Sequence, residues 1–529
     1  MPIPNAHEKV PMMFRAQVPG RSQLQYLDPQ RKKNNKMQDV EMWADEWIDK
    51  AEFIPASRTE DVQTDTYGAK SYEISWRFVT NGGQDDGLVR PVLGARGIPF
   101  YPGSSMKGAF RAAAQQMEAA GDLAQGQCNR YCGDEADLAP GILRFQGAYP
   151  INDWTKGLLD LVHPQQGWQV KTQTTDKKPR GESAYAQVSL YQPTLRFMMS
   201  STVPLSEAEW AEVWQIWETA IATGLGSKVS TGYGYPISKP SGTIIFNARL
   251  IGQGQAAKRL DGEGEFRPNV FRAALRGHAL RIFGGLTNTN TAEALVEDLF
   301  GGIQRREPTV GLLGFQFRTR ELELGSFGAG KYAQPTYDVD GDLTWMLMRP
   351  LPNPDHLPAL RKLVGKLMQM AMVLGGFGKS WRRVDHRLFF NEYYEDRYKA
   401  LIGCHWQWGS DASKRRNVQV AHVNRLGGFI DRVREAAQEW IQLQNHPLQE
   451  NNWTTDWREA FHPSRVQIWA REAEDMDDSV AVRWFHQNYQ ENQSIKKSTV
   501  TGKIGRIGRI WHRMYPVIIL RKNPDDPKN

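Results

Sequence analysis

The stretch from Ile98 to Arg111 reads I-P-F-Y-P-G-S-S-M-K-G-A-F-R, a set of residue types that suits an anion. An apolar strand end turns at Pro102-Gly103, offers the hydroxyls of Ser104 and Ser105, and opens an Ala-rich helix with Lys107 and Arg111 on its first turns. Unbonded N–H groups at a helix start, small residues that allow close approach and the positive dipole end all favour a phosphate there. An ordinary capped helix has the same composition, so the stretch gains weight only from what surrounds it. A second copy is the first support. Phe266 to Arg281 reads F-R-P-N-V-F-R-A-A-L-R-G-H-A-L-R, and with one residue deleted Pro268 falls on Pro102, Arg272 on Lys107 and Arg276 on Arg111.

Each copy is followed, further along the chain, by a helical pattern that runs into glycines. The first of these loops is T-G-L-G-S-K-V-S-T-G-Y-G-Y from Thr223 to Tyr235, with Gly224, Gly226 and Lys228; the second is G-G-F-G-K-S-W-R-R from Gly375 to Arg383, with Gly376, Gly378, Lys379, Arg382 and Arg383. Glycine loops carrying a lysine and a hydroxyl can follow an anion with backbone N–H groups. They are not nucleotide loops of the Walker kind, because that spacing is missing and each loop follows its helix instead of preceding it. A dinucleotide site fails too, since neither cluster sits between a strand and a helix. Two basic, glycine-bearing elements per repeat suit the backbone of a single-stranded RNA, bound by sequence-tolerant, salt-sensitive contacts.

Candidate catalysts are fewer. No Ser-His-Asp order, zinc-protease helix motif or EF-hand loop is present. The acidic residues that stand out are Asp85 and Asp86 in the loop N-G-G-Q-D-D-G, and Asp261 in the glycine-rich stretch Gly252 to Glu265. A carboxylate beside bound RNA could hold a divalent metal or orient a ribose 2′-hydroxyl for attack on the adjacent phosphate. Asp before Gly is also an ordinary turn residue, and both readings stand.

The elements that must position these residues repeat in one order. Tyr72, Ile74, Trp76 and Phe78 alternate as a half-buried strand, then come the acidic glycine loop, the anchor helix, a short strand near Gly141 to Phe145, and the helix that ends in the glycine loop. The second half answers with a strand from Gly242 to Ile251, its own glycine-rich loop, anchor helix, strand at Gly311 to Phe317 and glycine-ended helix. Five features in the same order imply two homologous domains. They span residues 61–240 and 241–529, after an N-terminal arm, 1–60, whose basic run Arg31 to Lys36 is either a solvated face or an RNA contact.

Two polar excursions, about 155–187 and 320–340, are long for connections in a compact domain. Trp210, Val213, Trp214, Ile216 and Trp217 have helical spacing, which predicts a core-facing helix. Beyond residue 400 nothing matches the first half. There the pattern predicts a helix near Phe429 to Gln444 and, from Thr501 to Tyr515, a strand with one basic face that would complete the second sheet.

The 529 residues exceed one ordinary core. Lys plus Arg number 66 against 59 Asp plus Glu, giving +7, and a pI near 9.1 leans toward an anionic partner. No basic amphipathic helix points to a membrane. Three cysteines argue against a disulfide framework and for a reducing compartment. Zinc at Cys128 and Cys132 would need two more ligands, with only His163 and Cys404 to suggest them. No apolar run spans a bilayer and the N-terminus lacks a signal-peptide core, so a cytoplasmic protein is expected.

The P-G-S-S-M-K-G-A-F-R motif, the G-L-G-S-K-V-S-T-G-Y-G loop and the intervening G-I-L-R-F strand together resemble the RAMP superfamily, specifically the backbone subunits of type III CRISPR effector complexes. Two such domains in one chain are similar to the double-backbone fusion subunit of type III-D variants. The resemblance implies an α+β chain of two tandem ferredoxin-like, RRM-related domains along a CRISPR guide RNA, with the excursions as thumb hairpins that displace a base. It implies that neighbouring backbone subunits, a large polymerase-like subunit and a small subunit are partners. It also implies that a loop aspartate cuts complementary target RNA in a metal-dependent reaction, with magnesium the expected ion. By spacing Asp86 fits that position, with Asp85 as its rival; Asp261 lies only seven residues before Pro268. The second domain lacks the anchor glycine and serines, which leaves Arg272, Arg276 and backbone groups for its grip. A catalytically silent scaffold of the same fold is the alternative. A repeat-processing endoribonuclease working through histidine is a third, and neither glycine loop contains one.

Overall fold

The computed structural model describes residues 44–514 except 46, 50, 56–57, 81, 86–87, 135, 163–166, 172–184, 239–241, 260–261, 305–306, 391, 396–397, 410–421, 450, 475–479, 487–494, 496–497, 499 and 503–507. It is a mixed α+β chain with two four-stranded antiparallel sheets, one in each half.

In chain order the first half supplies β1 (Tyr67–Glu73), the hairpin of β2 (Gly83–Asp85) and β3 (Leu88–Arg90), α1 (Gly103–Ala120), α2 (Gln127–Cys132), β4 (Leu143–Pro150), β5 (Leu159–Val162), α3 (Gly167–Lys171), β6 (Tyr185–Val188), β7 (Thr194–Ser201) and α4 (Glu207–Ala222). β7 lies between β1 and β4, antiparallel to both. The short strand Val62–Gln63 pairs with β1 on its outer edge, and past the glycine loop Pro236 bridges to Ile74, antiparallel, at that strand's end. The arrangement follows from the sequence. α1 buries Met106, Phe110, Ala113, Ala114 and Met117, one stripe at helical spacing, against β4 and α4. α4 starts in a Ser206/Glu209 capping box and, as its spacing predicts, buries Trp210, Trp214 and Trp217. A second sheet, in the order β2-β3-β6-β5, joins the acidic hairpin to the base of the first excursion.

The second half supplies β8 (Ile244–Gln255), α5 (Val270–Gly284), α6 (Thr289–Phe300), β9 (Leu313–Phe327), β10 (Gln334–Leu347), α7 (Leu357–Leu374) and β11 (Cys404–Trp408), with strand order β9-β10-β8-β11, antiparallel throughout. The second excursion is the far end of the β9–β10 hairpin, where Thr319 to Ser326 are exposed. The fourth strand differs from the sequence expectation. Cys404–Trp408 fills that place, whereas among the described residues the segment from Val500 to Met514 forms no strand and contributes one parallel bridge, His512 to Arg383. α8 (Leu426–Leu443) matches the expected tail helix and packs on α7; α9 (Val480–His486) follows it.

Matching features in the two halves extend to backbone detail. α2 and α6 both end at a glycine in the same conformation, Gly133 (φ 94°, ψ 155°) and Gly301 (φ 77°, ψ 156°). Arg111 donates to the carbonyls of Cys132 at 3.1 Å and Gly133 at 3.0 Å, and Arg272 donates to that of Phe300. Arg272 therefore performs the task of Arg111, although the sequence alignment pairs Arg276 with Arg111. The structural register lies one helical turn away because both alignments keep the same helix face apolar.

Several buried contacts among the described residues join the halves. Arg77 forms a two-pronged pair with Glu265 (2.6 and 3.0 Å), to which Trp76 also donates, and Asp160 on β5 pairs with Arg267 at 2.9 Å. Gln316 on β9 donates to the carbonyl of Pro236 at 2.7 Å. Finally, α3 of the first excursion docks on the second half. Val170 is fully buried in the second core, its carbonyl accepts from the Glu459 N–H, and Lys171 pairs with Glu293. The middle of that excursion is thus a clasp; residues 172–184 lie outside the described ones. The arm is docked as well: Ala44 and Trp47 are buried in the first core, and Trp47 donates to Gly97. Its basic run at Arg31 to Lys36 lies outside the described residues.

Candidate nucleic-acid interface

The start of α1 is presented as the sequence reading requires. Pro102 caps it without a side-chain bond, and Ser104, Ser105 and Lys107 are exposed. Gly103 permits this placement: a Cβ there would lie 2.0 Å from the Phe145 carbonyl oxygen, so only glycine lets the helix start sit against β4. Arg111, one turn on, is turned inward onto the end of α2.

The second anchor is built differently. Arg272 is 7 % exposed and bonded to Phe300; burial, with Arg276 next to it, lowers its pKa to about 9. Arg276 is half-buried and lies near Glu297 and Glu293. Neither stands at a helix start facing solvent. The second half keeps the helix and loses the exposed hydroxyl and lysine face.

The two glycine loops share one pattern of positive φ. In the first, Gly224 (φ 89°), Gly226 (φ 79°) and Lys228 (φ 62°) are left-handed with right-side residues between them; in the second, Gly376 (75°), Gly378 (104°) and Ser380 (56°) occupy the matching positions. In the first loop the N–H groups of Gly224, Leu225 and Ser227 donate to the carbonyls of Ile221, Gly234 and Val79, and in the second those of Gly375 and Gly376 donate to the Ala371 carbonyl, so the chain's own carbonyls close both turns. Each loop buries one apolar residue at its centre, Leu225 or Phe377. Gly226 is exposed and Ser227 and Lys228 are half-exposed, while in the second loop Lys379 and Ser380 are exposed, with Lys379 donating to the Ala256 carbonyl at 3.1 Å.

Beyond these shared residues the loops part. The first runs into a turn at Val229–Thr231 that packs on β9, where the Phe315 ring fills the space beside Gly232. The second runs into Trp381-Arg382-Arg383, which the C-terminal tail covers. Arg281 (2.7 Å), Arg382 (2.7 Å) and Arg458 all pair with the carboxylate of Glu459. Burial alone would raise the pKa of that acid, but the three guanidiniums hold it down at about 2. Arg383 donates to the Thr501 carbonyl at 2.6 Å.

Asp85 ends β2; Asp86 and Asp261 lie outside the described residues. Glu265, four residues after Asp261, is the buried partner of Arg77. Among the described residues no three His, Cys, Asp or Glu gather as a metal site. Cys128 and Cys132 belong to the first core and Cys404 to the second, which separates the thiols; His163 lies outside the described residues. Among the described residues no helix is long and apolar enough to cross a membrane.

Sequence reasoning missed Glu459 and the aromatic Trp511 beside it. Neither belongs to a repeated feature, so no spacing pointed to them. No protein-family model matches the chain, and no curated protein matches it.

Proposed function

We propose that the chain is a guide-RNA-binding backbone subunit of a type III CRISPR RNA-targeting effector complex, built from two tandem ferredoxin-like RAMP domains. The observation that carries this reading is the repeated glycine loop, with left-handed residues at three matching positions in each half. An exposed Ser-Ser-x-Lys helix start, in the same half as a glycine loop whose Gly226 is exposed, suits a phosphate chain and reads no base. The strand order β9-β10-β8-β11 with its two packed helices supports the ferredoxin-like reading of the second half. Guide RNA would run along the first-half face formed by Ser104, Ser105, Lys107 and the Gly224 to Lys228 loop. Other subunits of the complex would stack on either side.

In this reading the chain also cuts complementary RNA, with Asp86, or its neighbour Asp85, and Asp261 as the acting carboxylates and a divalent ion, magnesium by expectation, as cofactor. Cleavage mapping of labelled complementary RNA by the assembled complex tests it. Asp86→Ala and Asp261→Ala should each remove one cut while guide binding persists. An unchanged ladder would make the chain a silent scaffold, and loss of guide binding altogether in wild type would end the reading.

A further inference from the structure

The two glycine loops lie at the ends of one buried bridge between the halves. It starts at Tyr233, near the end of the first loop and buried, whose hydroxyl donates to Asp160 Oδ2 at 2.5 Å. Asp160, fully buried on β5, accepts from Gln187 on the same oxygen at 3.1 Å and pairs through its other oxygen with Arg267 at 2.9 Å. A parallel route starts from the same ring. Trp76 packs on Tyr233 at 4.5 Å between ring centroids and donates its indole N–H to Glu265 at 2.9 Å. Burial alone would raise the pKa of that carboxylate, but Arg77 and Arg267, which both pair with it, hold it below its ordinary value.

The bridge reaches the second loop through the backbone. Glu265 is paired with Ala257 in a short antiparallel ladder, and the carbonyl of the preceding Ala256 accepts from Lys379 at 3.1 Å. Burial, with the charge of Arg267 added, lowers the pKa of Lys379. The Arg382 and Arg383 end of that loop hangs on Glu459 and Thr501 and takes no part. With Asp160 and Glu265 facing Arg77 and Arg267, the bridge is neutral. Buried ion pairs add little net stability over apolar packing, and their best attested use is to fix one arrangement among several. An apolar seam would let the halves slide, whereas hydrogen bonds and two-pronged ion pairs hold direction as well as distance.

We propose that Tyr233, Asp160 and Arg267 are positioning residues that hold the two glycine loops at one fixed separation, so that a single RNA strand reaching both is bound as one bivalent ligand. This rests on the RNA-binding reading and adds a length requirement to it. Once one loop holds the strand, the second contact is intramolecular, and its strength depends on how firmly the loops are spaced.

The experiment measures the affinity of the purified full-length chain for two fluorescein-labelled oligouridylates, one of about 6 nucleotides, which suits one loop, and one of about 20. Wild type should prefer the longer by about 100-fold or more. Asp160→Asn, which removes the charge opposite Arg267, should cut that preference roughly tenfold, with the short strand bound as in wild type. Tyr233→Phe, which keeps the ring and deletes its bond to Asp160, should cut it roughly threefold. The longer strand offers every variant the same number of registers, so a change in the ratio reports the spacing. Tyr233→Phe alone carries the expectation should Asp160→Asn lose its fold by circular dichroism. A wild type that binds both lengths alike, an unchanged ratio in folded variants, or an equal loss for both lengths would overturn the positioning role. Binding by wild type that is insensitive both to salt and to Lys107→Ala would instead sink the RNA reading, which makes the two failures distinguishable.

Discussion

The two glycine loops follow the same alternation of backbone angles and end in different company. The first closes against the partner half of the same chain, with Gly232 pressed on Phe315; the second closes under a tail that has no counterpart in the first half. Three left-handed positions tolerate few substitutions, which accounts for the shared φ pattern of the two loops. The side chains around them differ because each loop has its own neighbour. A repeated motif therefore predicts a repeated path more safely than a repeated contact.

The comparison can be broken most sharply at Glu459. Glu459→Gln leaves three guanidiniums without their anion and should cost about 3–5 kcal/mol, read as denaturant unfolding, with hydrogen exchange rising at Trp381 to Val384 and unchanged at Gly224 to Gly232. Equal loosening of both loops would mean that they are not independent. The same acid gives a pH signature. Its folded pKa of about 2 lies below the unfolded value of about 4.3, so its contribution is complete above about pH 5 and fades as the pH falls toward 2. Wild type should show that acid-side loss of stability, and Glu459→Gln should lack it.

Next in size are the matching glycines. A Cβ on Gly226 would lie 2.3 Å from the Val79 carbonyl oxygen, whereas one on Gly378 would meet only the Tyr337 hydroxyl at 3.1 Å. Gly226→Ala should cost on the order of 3 kcal/mol and Gly378→Ala about 1–2 kcal/mol, the latter mainly from left-handed strain. Thermal unfolding of the two single variants ranks them; a reversed order would show that the loops are held by different forces than their packing implies. The smallest effect is expected at the matched non-glycine positions. Lys228→Gly and Ser380→Gly each relieve a left-handed residue, and each should raise stability by up to about 1 kcal/mol in the same thermal unfolding measurement.

Much of this was legible from sequence where a residue type has one common use. The tryptophans at helical spacing had to face a core, and the order of strands and helices could be read from alternation and glycine. The Cys404–Trp408 strand escaped because C-H-W-Q-W is five residues long and lies among polar segments, while the longer Ile and Arg alternation near residue 505 looked the better strand. Arg272 escaped because an arginine early in a helix suggests the surface; its burial depends on the orphan carbonyl of Phe300, which no pattern near Arg272 announces. The clasp escaped for a similar reason. Val170 stands between the polar Gln169 and Lys171, and the second core gives it a place to go. Asp86 and Asp261 remain where the sequence left them, outside the described residues, and rest on the cleavage mapping.

That clasp has a consequence for the chain as it is being made. Gln169 accepts from Arg458, 289 residues further on, so α3 emerges from the ribosome long before the surface that receives it exists. At about 5–20 residues per second the wait is roughly 15–60 s. Throughout that interval the first half carries an exposed Val170 and an unmatched Lys171. The newborn chain is then open to chaperones or to a wrong partner, and it closes only when the second half has folded beside it.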